Sequence, residues 1–142
     1  MAELMVTLVI VGIVAAISTP FFITYYQSAR LRAAAQEVAA LINQGRQLGI
    51  RENAGACVHI TSTAMQHYIG STCTGAAWIG PGTDATGQLK APDGITLSAT
   101  ADPVFSYLGA ANPGATITVT NSQDGRTLHV TVAVSGRVTI GP

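Results

Sequence analysis

Between Glu3 and Arg30 the sequence carries no charge. From residue 4 to residue 17 almost every side chain is apolar, and residues 4–26 together are long enough to cross a bilayer as a helix, which takes about 20 apolar residues. Ser18, Thr19 and Pro20 make its far end slightly polar, Tyr25 and Tyr26 stand where an interfacial aromatic belt belongs, and Arg30 and Arg32 follow. A cleaved signal peptide would open on a basic segment, whereas Met1 and Ala2 lead straight into Glu3. The reading is a retained membrane helix.

The helical pattern continues beyond that run. Leu31, Ala34, Ala35, Val38, Leu41, Ile42 and Leu48 recur at the spacing of an amphipathic helix, with Arg30, Glu37, Gln44 and Arg51 on the other face. The expectation is one helix from about residue 4 to residue 51, roughly 70 Å long at 1.5 Å per residue. Asn53 and Gly55 should end it. Pro20 should kink it or free a backbone carbonyl.

The remainder reads as strands and turns. Strands are expected at residues 57–61 and 65–69, paired across 62–64, then at 95–99, 104–108 and 115–120. After a turn at 121–125, Leu128, Val130, Val132 and Val134 should line one strand face and Thr127, His129 and Thr131 the other. Ser135-Gly136 should turn the chain into residues 137–140. The fold class is α+β: a long N-terminal helix, transmembrane in one half and amphipathic in the other, packed on an antiparallel two-sheet C-terminal domain. The expected divisions are residues 1–26, 27–53 and 54–142.

The 142 residues carry a formal charge of zero, and only 10% are charged, against roughly 25% in soluble domains. No imbalance points to nucleic acid or an acidic partner. Cys57 and Cys73 are the two cysteines. In the cytosol they would read as buried thiols; behind an export anchor they read as one disulfide, with unpaired thiols or a bond to another protein as alternatives. His59, His67 and His129 share no metal-ligand spacing, so no zinc site and no cofactor is expected. Asp84 and Asp93 lie in one loop region where calcium is conceivable, but solvated turn residues are the better reading. Four Asp and three Glu, widely spread, offer no acid/base pair, and no nucleophile elbow, phosphate loop or His-Glu-x-x-His is present. Catalysis is not expected, and a membrane-anchored periplasmic enzyme has no residue constellation behind it.

The stretch from Glu3 to Ile17, followed by Pro20, resembles the N-terminal helix of type IV pilins and type II secretion pseudopilins. That family carries a lone glutamate near the mature N-terminus of an apolar helix and a helix-breaking residue about halfway along. The rest is similar to minor pseudopilins of the H type and their FimT- and FimU-like pilus relatives, down to the closing Gly136-Arg137 strand. The resemblance implies a structural subunit, of the minor kind, of a type IV pilus or a type II secretion pseudopilus. Such a subunit is single-pass in the inner membrane with a periplasmic head, and is then assembled into a periplasmic or cell-surface filament. Its partners would be other pilin subunits through their N-terminal helices, membrane lipid before assembly, an assembly motor and platform, and a prepilin peptidase.

The resemblance assigns Glu3 to assembly, meeting the N-terminal ammonium of a neighbouring subunit; Met1's amine is the nearest substitute in this sequence. The plainer reading is a charge among lipid headgroups. Between Gly12 and Pro20 the helix would loosen as it leaves lipid, although membrane helices tolerate both residues routinely. Family precursors carry a short basic leader ending in Gly, cut before an aromatic residue that becomes N-methylated. This sequence shows neither, and its alignment places the mature family start two residues before Met1. The second reading is a minor pilin that captures DNA through a basic C-terminal region. Arg137 and Arg126, with His129 nearby, would carry it, but Thr139 stands where a further Arg would strengthen it, and nucleic acid is not the expected partner.

Overall fold

The computed structural model describes residues 2–142. Its first element is α1, Ala2–Arg51, a single helix of 50 residues that runs through Pro20. Pro20 has no N–H, so the helical ladder loses the bond that Ala16 would otherwise accept. The helix ends in a Schellman motif. Asn53 takes a left-handed conformation at φ 49°, its N–H donates to the Ile50 carbonyl at 3.2 Å, and the Ala54 N–H donates to Gly49 at 3.1 Å. Asn tolerates that conformation better than most residues, which is why the expected stop works.

The chain divides into two units, one ending at Arg30 and the other Leu31–Pro142. The second unit holds eight strands in two antiparallel sheets. The strands are β1 Ala56–Ile60, β2 Ala64–Ile69, β3 Gln88–Lys90, β4 Ile95–Ala99, β5 Val104–Phe105, β6 Ala115–Asn121, β7 Thr127–Val132 and β8 Val138–Gly141. One sheet has the order β3-β2-β1-β5, the other β4-β6-β7-β8. The expected hairpin forms with Ile60 opposite Met65. Across its turn the Thr61 N–H donates to the Ala64 carbonyl at 2.9 Å. In β6, Ala115, Ile117, Val119 and Asn121 are buried while the threonines between them are half-buried, the period-2 pattern of a sheet with one covered face.

The core joins Leu31, Ala34, Ala35, Val38 and Ile42 of α1 to Val58, Met65 and Phe105 of the first sheet and Ile117, Val119, Val130 and Val132 of the second. Within this unit the helical stripe covers the sheets as its spacing implies.

Two local expectations are corrected, and the structure adds one strand. The strand expected over 104–108 stops at Phe105. Ser106 to Gly109 instead make a turn, closed by the Gly109 N–H on the Ser106 carbonyl with Gly109 at φ 82°, and Tyr107 and Leu108 are exposed. Val134 is exposed, because β7 ends at Val132 and the next residues belong to the turn closed by Gly136. Strand β3 was not anticipated: three residues are too few for an alternation to register, and its place is set by pairing, Met65 opposite Leu89.

Candidate functional site

Each residue from 2 to 26 whose side chain is described is exposed, including Leu8, Val9, Ile13, Phe21 and Phe22. The helix is long and apolar enough, by length and composition, to cross a membrane. Three of its described aliphatic hydroxyls are bonded back to the helix itself. Thr7 donates to the Leu4 carbonyl at 2.9 Å, Ser18 to Val14 at 2.8 Å and Thr24 to Pro20 at 3.1 Å. Hydroxyls bonded to the preceding turn present no unmet donor to an apolar surrounding. Glu3 lies in the first helical turn, where a carboxylate is favoured, and among the described residues it has no ion-pair partner. Met1, the expected stand-in for a neighbour's ammonium, lies outside the described residues. A Cβ built on Gly12 meets nothing within 4 Å, so no packing inside the chain requires a glycine there.

In the second unit Cys57 and Cys73 form a disulfide, with Cα atoms 5.2 Å apart, that ties β1 to the loop after β2. Beside it, His59 Nδ1 lies 2.6 Å from Asp102 Oδ2, and the Ile60 N–H donates to Asp102 Oδ1 at 3.0 Å. Donor atoms of His59, Cys73 and Asp102 all fall within 4.8 Å of one another, a grouping that spacing along the chain did not reveal. Asp84 is a turn organiser: its Oδ1 accepts from the Thr86 hydroxyl, the Thr86 N–H and the Gln88 N–H at 2.7–2.9 Å. The Thr86 hydroxyl first, and then the two N–H groups, hold its carboxyl below the usual aspartate range.

His67 is fully buried on β2 beneath α1. Its Nε2 donates to the Leu41 carbonyl at 3.0 Å, so the neutral ring keeps its proton there, and Nδ1 is left without a partner among the described residues. Burial pushes its pKa down, against the smaller opposing pull of the Leu41 carbonyl. The close approach that makes this contact depends on Gly45. A Cβ there would stand 2.5 Å from Val58 Cγ2 and 3.1 Å from the His67 ring. Sequence reasoning passed over Gly45 and Gly49, although two glycines four apart on the apolar stripe of an Ala-rich helix do signal a close approach.

Solved structures share this architecture. E. coli GspH matches at a TM-score of 0.60 and 14% identity, over 79% of this chain and 87% of that one. The minor pseudopilin EpsH of the Vibrio cholerae type 2 secretion system matches at 0.59 and 12%, over 78% and 95%. The type IV minor pilin FimU of Pseudomonas aeruginosa matches at 0.54 and 15%, over 79% and 88%. The fold is that of the minor pilins and pseudopilins. No protein-family model matches the sequence, and no curated protein matches it either.

On this pilin fold the two arginines expected to touch DNA are not brought together. Arg126 lies just before β7 and Arg137 in the turn after it, so roughly 20 Å of strand separates them at about 3.3 Å per residue. Arg126 is engaged locally, its Nε 3.6 Å from Asp124 Oδ2. His129, between them, meets the Thr118 hydroxyl at 3.1 Å. The pilin-like head therefore places these two cations at opposite ends of a strand rather than side by side, and phosphate affinity needs clustered ones.

Proposed function

We propose that this chain is a subunit, of the minor class, of a type IV pilus or a type II secretion pseudopilus. It is anchored in the inner membrane by the first half of α1, with its head in the periplasm, and then enters a filament through that same half. The observation that carries the reading is the exposure of apolar side chains through residues 2–26, on a helix that continues into the core of a pilin-fold head. Lipid satisfies such a surface before assembly and neighbouring helices satisfy it after. Helix–helix packing then replaces helix–lipid contact with little net cost, and a separate motor supplies the work of extraction. Glu3 would meet the N-terminal ammonium of an adjacent subunit, since a carboxylate in lipid costs a few kcal/mol unless it finds a cation. Gly12, where a Cβ would meet nothing within 4 Å, would admit a close neighbour helix. Other pilin subunits, an assembly platform and a prepilin peptidase are the partners this role requires. DNA capture is the weaker reading, because Arg126 and Arg137 lie apart.

The test is mass spectrometry of filaments sheared from cells expressing the protein or its Glu3→Ala variant. The expected result is incorporation of the parent, at least tenfold less of Glu3→Ala in filaments, and an unchanged head melting temperature. Normal incorporation of the variant would remove Glu3 from assembly. Confinement of the parent to the membrane fraction would defeat the filament reading.

A further inference from the structure

The disulfide and the His59–Asp102 pair converge from three parts of the chain. Cys57 and His59 are two apart on β1 and so share a strand face, Cys73 comes from the loop after β2, and Asp102 from the segment entering β5. We propose that in the dithiol form of the head Cys57, Cys73, His59 and Asp102 make a zinc site, so that a disulfide and a bound Zn(II) are alternative staples for the same place.

Four considerations support this. Tetrahedral zinc, with bonds of about 2.0 Å to N or O and about 2.3 Å to S, sets its donors roughly 3.3–3.8 Å apart. Donor atoms of His59, Cys73 and Asp102 already lie within 4.8 Å, so closing on an ion asks those three for about 1 Å of movement; Cys57 lies outside that grouping and, once its bond to Cys73 is broken, would have to swing in as the fourth donor. Asp102 is held by the Ile60 N–H through Oδ1, which orients Oδ2 toward the cluster, the kind of outer support that metal-binding carboxylates have. The donor set also fits the ion: two thiolates with an imidazole and a carboxylate favour zinc over calcium or magnesium. His59 and Asp102 are about one-third exposed, which leaves an entry path.

The chemistry balances. A dithiol reductant exchanges with the Cys57–Cys73 bond, is itself oxidised to a disulfide, and leaves two thiols. Zn(II) then displaces both thiol protons to solvent, and two thiolates, a neutral imidazole and a carboxylate surround the dication. A disulfide oxidant, itself reduced to a dithiol by exchange with the two thiolates, re-forms the Cys57–Cys73 bond, removes two ligands and releases the ion. The site is independent of the filament reading, since it needs only the head.

The experiment uses the full chain in detergent micelles, either oxidised or reduced with a phosphine that is then removed under anaerobic conditions, and titrates it with Co(II) and then Zn(II). The reduced chain is expected to take up one equivalent, with a thiolate-to-cobalt band and tetrahedral d–d bands that zinc abolishes; the oxidised chain shows neither. X-ray absorption of the zinc form should give two sulfur and two N/O neighbours. Asp102→Asn, which keeps an acceptor for Ile60, and His59→Ala should each weaken binding at least tenfold in the reduced chain. Their disulfide forms, checked by circular dichroism, establish that the variants fold. Lack of a thiolate–cobalt band in the reduced parent overturns the proposal. So does undiminished affinity in both variants, because the two thiols alone would then account for the binding.

Discussion

One helix contains two contrasting regions. Before Arg30, α1 is apolar around its whole circumference and exposed at every described position up to residue 26; after it, the apolar residues narrow to the stripe Leu31, Ala34, Ala35, Val38, Ile42 and Leu48, and the stripe is buried. A helix that is apolar on all sides needs a surrounding that is apolar on all sides, whereas a striped helix is satisfied by one sheet face and water. The first half therefore keeps its apolar surface unburied by the rest of the chain. The second half has buried its own in the head.

The same substitution made in both halves tests this contrast. Ile42→Ala should destabilise the head by about 2–5 kcal/mol, because a fully buried side chain leaves a cavity between helix and sheets. Ile13→Ala, on an exposed position, should stay within about 0.5 kcal/mol in the same denaturant titration. Equal effects would dissolve the distinction. Reduction of Cys57–Cys73, which closes a loop over a separation of 16 residues, should lower head stability by about 3 kcal/mol in metal-free buffer, read as a drop in melting temperature. The glycines repeat the test more gently. Gly45→Ala should cost about 1–3 kcal/mol by driving a methyl into Val58, whereas Gly12→Ala should leave head stability unchanged.

The smallest effect depends on pH. His67 is buried neutral with its pKa lowered, so the unfolded chain binds a proton that the folded head refuses. Stability should be full above the unfolded value of about 6.5 and fall as pH drops below it, until His67 itself is protonated. His67→Gln should flatten melting temperature against pH across that window. A slope that persists would assign the acid sensitivity elsewhere.

Much of the architecture is legible along the chain because it is periodic. The length of α1, its buried stripe, the β1–β2 hairpin and the alternation of β6 all follow from spacings of 3.6 or 2. The boundary at Asn53 follows from local conformational chemistry. What could not be read depends on residues meeting across the fold. β3 exists because β2 offers it an edge, Gly45 matters because Val58 and His67 lie beneath it, and the grouping of His59, Cys73 and Asp102 spans 43 residues between its His and its Asp. The two arginines show the converse: near in sequence, they are placed at opposite ends of β7 by an extended strand. Hydrophobic periodicity is a local property, so the chain alone already shows that α1 is apolar on all sides in one half and striped in the other. Which polar side chains stand together depends on register and crossing between distant segments, which no local pattern encodes.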